Sequence, residues 1–300
     1  MSRSDTDEDA DGSGSSSENL QFLVVVAHPH DFTHCAATCG IHAENGDTVS
    51  VVAVTDGSYT HNEELHDELM KPPEERDEAV ISQSRDQYAE EKAAEFDRAC
   101  DLFGVQDTKV LGYPQPFRVD VTRSVVEDLT NILLEVRPDV VITHRPNHPD
   151  PKGRASMEPN DHVEAAKAIS EAKILAATPD YDSDTPPHTV ATTYYMGGGH
   201  FWFGPDEIDV YVDISDWGAE RKQAEAIFET QGHTEAFAER RIEVTSGHVG
   251  WSARTQFAEG FVRAESAVAS QLTPTELELS RAREPKAKWV DRIEGNADSR

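Results

Sequence analysis

Residues 23–27 read Leu-Val-Val-Val-Ala and run straight into His28-Pro29-His30-Asp31. An unbroken β-branched run is what a strand needs when both of its faces are covered, as in a parallel sheet between layers of helices. The turn that follows decides which ligands such a sheet can take. A dinucleotide requires a Gly-x-Gly-x-x-Gly turn there, so that backbone can approach the pyrophosphate. Here the turn is His-Pro-His-Asp-Phe-Thr-His with no glycine before Gly40, and His30 and Asp31 crowd the place a pyrophosphate would occupy. Nucleotide binding is therefore rejected.

The rest of the first half alternates at βαβ spacing. Residues 33–44 have helical character and close on Asn45-Gly46, and 48–55 (TVSVVAVT) form a second buried strand. Residues 56–80 are polar, contain Pro72-Pro73 and read as a long surface loop. A helix over 82–103, a strand over 105–111, a helix over 121–135 and a strand over 139–143 follow. This predicts an α/β fold for 21 to about 178: a Rossmann-like, doubly wound, mainly parallel sheet with helices on both faces. Beyond it, 188–196 and 208–214 read as strands around the stretch GGGHFWFG, and 217–230 as a charged amphipathic helix. That aromatic stretch suits a sugar-facing wall and a tight hairpin-like crossing equally well. The domain reading is an acidic, disordered tail over 1–20, one α/β domain over 21–272, and a polar extension over 273–300 that packs loosely or extends.

Composition narrows the partners. Lys and Arg number 27 against 57 Asp and Glu, a formal charge of −30, which disfavours nucleic acid and anionic lipid. The acids are spread along the chain rather than held in one block. That distribution favours a solvated surface adapted to salt, in a cytoplasmic protein of a salt-accumulating halophile, over an acidic partner-binding tail. Cys35, Cys39 and Cys100 make no disulfide framework and suit a reducing compartment. No apolar run is long enough to span a membrane, and the first twenty residues lack the apolar core of a signal peptide.

Ligands of an open parallel sheet bind beyond the carboxyl ends of its strands. After the first strand comes His28-Pro29-His30-Asp31, after the second Asp56-Gly57, and after the fourth His144-Arg145-Pro146-Asn147-His148; Asn160-Asp161-His162 then opens a helical segment. Imidazoles and carboxylates from distant segments thus converge on one sheet edge, the donor set of a metal site. Cys35 and Cys39, one helical turn apart, read as small core residues more readily than as thiolate ligands. His34 and His42 read as helix-surface residues.

The segment from Leu23 to Gly57 resembles the opening of the LmbE/PIG-L family, whose hallmark is a strand followed by Ala-His-Pro-Asp-Asp-Glu. Leu-Gly-Tyr-Pro at 111–114, Asp161-His162 leading into a helix, and DVYVDISDW at 209–217 extend the resemblance over residues 21–260. It implies a zinc-dependent deacetylase of N-acetylated amino sugars or related conjugates, with Zn2+ or another divalent transition metal held by His28, Asp31 and His162. Two positions depart. The family's general base, an Asp, is replaced by His30, and the leading His of its His-Pro-Asp-His motif by Pro159. By position His30 takes the role of base, and His144 or His148, on the loop after the fourth strand and without a motif match, is offered for the missing imidazole; Asp56 after the second strand, and Lys92 at the place of a substrate-binding Arg in the family, are placed toward the substrate. Read from local sequence alone, Lys92 is a solvated helix lysine. The departures also leave open a homologue that binds metal or sugar without turnover. The implied partner is a small N-acyl sugar-like molecule, and a homo-oligomer is compatible with this reading.

Overall fold

The structure is a computed structural model and describes residues 19–59, 61–113, 119–146, 160–198 and 207–295. The predicted first strand is β1 (Gln21–Val26), and the second is β2 (Thr48–Thr55). A 3-10 turn over Pro29–His34 precedes α1 (Ala36–Glu44). The expected long loop over 56–80 is instead largely helical, with α2 (Glu63–Met70) and α3 (Glu78–Ile81). Asn62 and Asp77 cap these helices by accepting the backbone N–H of Leu65 and Ala79. The polar composition that suggests a loop is that of two short exposed helices, whose local caps replace the apolar stripe.

α4 (Arg85–Leu102), β3 (Asp107–Tyr113), α5 (Val119–Val136), β4 (Val140–Thr143) and α6 (Asp161–Ala176) complete the predicted first half. β5 (Thr192–Gly198) and β6 (Val210–Asp213) are both present, but they are not neighbours. After α7 (Gly218–Ile227), α8 (Glu235–Val244) and α9 (Ser246–Ala253), an unforeseen strand β7 (Ala258–Arg263) inserts between them, giving the order β3-β2-β1-β4-β5-β7-β6. The first five strands are parallel, and β7 is antiparallel to both neighbours. A hairpin joining β5 to β6 is thereby excluded, while most of the GGGHFWFG stretch lies outside the described residues, as does Pro159.

Alternation along β1 sends Phe22, Val24 and Val26 into a core with α1, α4 and α7, and Leu23, Val25 and Ala27 into a second core under α5 and α6. Both faces are dry, which is why the run is continuous rather than alternating. Cys35, Cys39 and Cys100 are buried in the first of these cores. β1 leads on to β2 at one side, while β4 pairs with β1 at the other, so the chain reverses its winding between β1 and β4. That switch point is where doubly wound sheets open a crevice. Residues 273–295 form α10 (Glu276–Arg283) and α11 (Lys288–Ile293), joined to the domain by Arg281 to Asp213 at 3.0 Å. No helix among the described residues is long and apolar enough to cross a membrane.

Candidate metal centre at the switch point

The crevice is built around one carboxylate. Asp31, 1% exposed, accepts the backbone N–H of His28 at 2.8 Å and donates its own N–H to the His28 carbonyl at 3.1 Å, which closes the turn after β1. Four imidazoles surround its oxygens. His28 Nδ1 and His144 Nε2 lie 3.2 and 3.3 Å from Oδ2; His30 Nε2 and His162 Nε2 lie 3.4 Å from Oδ1. Of these, His28, Asp31 and His162 present one donor atom each within 4.8 Å of one another.

Hydrogen bonds fix which atoms face the centre. His28 Nε2 meets Asp161 Oδ2 at 3.0 Å, so a proton sits there, and Nδ1 carries the lone pair whenever the ring is neutral. Nδ1 is buried and has no hydrogen-bond partner. His162 Nδ1 meets Asn160 Oδ1 at 3.1 Å, leaving Nε2 as the acceptor, while the same oxygen caps α6 through the His162 N–H at 3.0 Å. A ligand imidazole whose other nitrogen is held by a carboxylate or amide oxygen is the usual support of a metal site. The donors fit a zinc-type ion: two imidazole nitrogens and one carboxylate, with a buried nitrogen that has no hydrogen-bond partner among them.

His30 and His144 flank this set differently. His144 Nε2 accepts the Ala27 N–H at 3.1 Å, so that contact, rather than the longer approach to Asp31, places its proton on Nδ1. Burial pushes its pKa down to about 4, against the raising effect of Asp31. Burial likewise holds His30 well below the ordinary imidazole value, again opposed by Asp31. Both rings are neutral at pH 7. His28 behaves oppositely in the metal-free centre: burial lowers it, but Asp31 and Asp161 together outweigh burial and raise it to about 9. Asp31 stays ionised, because the surrounding imidazoles outweigh the burial that would raise it.

Asp56, directly after β2, accepts the Ser58 N–H at 2.8 Å, with Arg85 at 3.9 Å. Lys92 is not solvated: it is 1% exposed, and its Nζ donates to the Gly57 carbonyl at 3.0 Å. Gly57 has φ +71°, and a Cβ there would stand 3.1 Å from Pro29 and 3.3 Å from Lys92, so glycine lets the loop lie on the site turn. His34 is half-buried rather than fully on the surface: it lines a small pocket with Arg221 and Arg241, and burial lowers its pKa. His42 is partly exposed and pairs with Asp47 at 2.7 Å.

Sequence reasoning missed what anchors the turn from behind. Glu259, buried on β7, accepts the N–H groups of Ala37 and Thr38 at 3.2 and 2.9 Å and the Thr38 hydroxyl at 2.6 Å, and it faces Arg221 Nε at 3.3 Å. It caps α1 from more than 200 residues away, where Cys35 offers no side-chain cap. Its only sequence signal is an acid in an apolar strand.

A two-histidine, one-carboxylate cluster at the switch point of a doubly wound sheet is a donor set that could hold a metal ion. The match to a family model makes this specific: residues 23–173, half of the chain, match PIG-L, GlcNAc-PI de-N-acetylase, and the chain belongs to that family. A curated relative, the 1D-myo-inositol 2-acetamido-2-deoxy-alpha-D-glucopyranoside deacetylase of Streptomyces griseus, is 28% identical over 197 residues. That match covers 58% of this chain and 54% of the relative, so the chain spans about half the relative's length. Among solved structures, the 4-carboxy-2-hydroxymuconate hydratase GalB of Pseudomonas putida KT2440 superposes with TM-score 0.65 at 18% identity, covering 85% of this chain and all of that one. The N,N'-diacetylchitobiose deacetylase of Pyrococcus horikoshii follows at 0.61 and 21% identity, covering 82% and 84%. These likenesses establish the fold. Since it carries both a hydratase and a deacetylase, the reaction has to be argued from the site.

Proposed function

We propose that this protein is a zinc-type, metal-dependent amide hydrolase that removes an acyl group, acetyl by preference, from an amino sugar or a related small conjugate. The observation that carries this reading is the orphaned Nδ1 of His28 converging with Asp31 and His162, beside a neutral His30. Family membership and the sugar deacetylase relative support the substrate class.

When bound, the metal supplies Lewis-acid polarisation of the acyl oxygen and activates the attacking water. His30 would take a proton from that water and return it to the amine nitrogen as the C–N bond breaks, while Asp31, 3.4 Å from its Nε2, balances the imidazolium in between. His144, neutral with its proton on Nδ1, serves as a hydrogen-bond donor to the developing oxyanion rather than as an acid. Asp161 and Asn160 hold the ligand imidazoles in the required tautomers. Asp56, directly after β2, meets sugar hydroxyls, and Lys92 fixes the loop that carries it. The extreme acidity and the absence of a disulfide framework fit a cytoplasmic enzyme of a high-salt cell.

Metal analysis of the purified full chain, followed by acetate release from a panel of N-acetyl amino sugars, tests the reading. About one zinc-type ion per chain, lost in His162→Ala, together with acetate release, supports it. Metal with sugar binding but no release from any N-acyl substrate makes the protein a binding homologue instead.

A further inference from the structure

Against a chain of net charge −30, one cleft has the opposite bias. Between the end of α9 and the two C-terminal helices lies a cleft of about 740 Å3 into which Trp251 and Trp289, two of the four tryptophans, both face. Among the described residues its lining also carries Arg254, Arg281, Lys286 and Arg292, with Glu284 as the sole carboxylate. Two of these cations are committed: Arg281 to Asp213 at 3.0 Å and to the Ala253 carbonyl at 3.1 Å, Arg292 to Glu284 at 2.6 Å and to the Arg254 carbonyl at 3.2 Å. They brace the walls. Arg254 and Lys286 form no ion pair among the described residues.

Arg254 carries a second signal. It ends α9 with φ 58° and ψ 46°, the left-handed region where a helix C-terminus prefers glycine. A long charged side chain kept in that conformation points to a use for the side chain. Trp251 is 64% exposed and Trp289 38%, so both rings offer faces to a ligand. The cleft's size is that of a small-molecule pocket. None of its lining residues belongs to the metal centre.

We propose that this cleft is a second ligand site for a small anionic sugar, whose ring lies against the tryptophans and whose carboxylate or phosphate meets Arg254 and Lys286. Charge selects a small ligand over a polymer: a nucleic acid or a long polyanion would meet the acidic surface beyond the cleft, while a single anionic group feels mainly the adjacent cations. Aromatic rings suit the apolar face of a sugar ring, and guanidinium suits its acidic group.

Tryptophan fluorescence of the full-length protein, titrated separately with glucuronate, glucose 6-phosphate, glucose and inorganic phosphate, tests this. A saturable change is expected with glucuronate, glucose 6-phosphate or both, identifying the carboxylate or the phosphate as the preferred head group. Glucose and free phosphate should bind at least about tenfold more weakly, as expected when a charged contact or the ring contact is missing. Arg254→Gly should weaken binding by a similar factor without lowering the melting temperature, since glycine relaxes that backbone. His162→Ala should leave the titration unchanged, which separates this site from the metal centre whether or not the hydrolase reading holds. Equal binding of glucose or of free phosphate, unaltered affinity in Arg254→Gly, loss of the signal in His162→Ala, or no saturable change with any probe would each overturn the proposal.

Discussion

At the scale of single residues, His30 as the proposed base sets a pH signature. A base acts in its unprotonated form, and burial keeps His30 neutral well below the ordinary imidazole range. The acidic limb of the rate profile is therefore expected below an unperturbed histidine's, and His30→Ala should cut turnover by about 10²–10⁴-fold with metal content preserved. Full activity in that variant would move the base elsewhere. His28 gives a second expectation, read on the metal-free protein. Its pKa, raised to about 9, keeps it protonated at neutral pH, while the metal needs its Nδ1 lone pair. Uptake then releases one proton, so apparent metal affinity should rise about tenfold per pH unit until the pH nears that of the His28 titration, then level off. Isothermal titration in buffers of different ionisation enthalpy counts that proton; a value of zero would refute the assignment. His28 and His30 were legible in the sequence as strand-end side chains, because topology alone sends the residues after parallel strands to one edge. The tautomers were not, since they depend on Asp161 and Asn160 meeting rings from other segments.

At the scale of elements, the turn that carries the proposed metal ligands is only as firm as the start of α1, and that start is capped by Glu259. Glu259→Ala removes a helix cap, about 1–2 kcal/mol, and leaves the buried Arg221 with one carboxylate fewer, a further cost of similar size or more. Its melting temperature should fall by several degrees, and chelator competition should show metal affinity lowered by about tenfold, as for other groups that support ligands indirectly. Glu259→Gln, which retains an acceptor oxygen, should recover part of both; unchanged metal affinity in Glu259→Ala would confine the residue to stability. The same strand explains where the sequence stopped being readable. β1 and β2 announce themselves by continuous apolar runs, but β7 reads Ala-Glu-Gly-Phe-Val-Arg, with a buried acid and a glycine against Ile208. Its place between β5 and β6 follows from long-range pairing that no local pattern encodes. The helices over 63–81 were missed for the opposite reason: their signal is in capping side chains rather than in periodicity.

At the scale of the whole molecule, charge governs. With 57 acids and 27 bases, at least 30 carboxylates have no basic partner of their own, whatever the pairing. In dilute buffer these repel over distances comparable to the domain itself, whereas at molar salt the screening length shrinks to about 3 Å, shorter than most separations between neighbouring surface charges. Folding concentrates the charges, so repulsion lowers stability at low salt and its relief should raise it. The melting temperature is expected to climb on the order of 10 °C between about 50 mM and 2 M KCl, since each kcal/mol shifts a domain of this size by roughly 2–4 °C. Sucrose separates screening from a general strengthening of apolar burial, because it is excluded from the surface but carries no charge. A rise in sucrose equal to that in KCl, or a midpoint indifferent to KCl, would reject the salt-adapted reading and return the acidity to partner binding. The sign of a pH test is also fixed. Protonating surface carboxylates lowers the net charge, so the KCl effect should shrink as the pH falls toward the carboxylate range, whereas stabilisation by specific ion binding to ionised clusters at neutral pH would persist only while those clusters stay charged and would saturate at far lower salt.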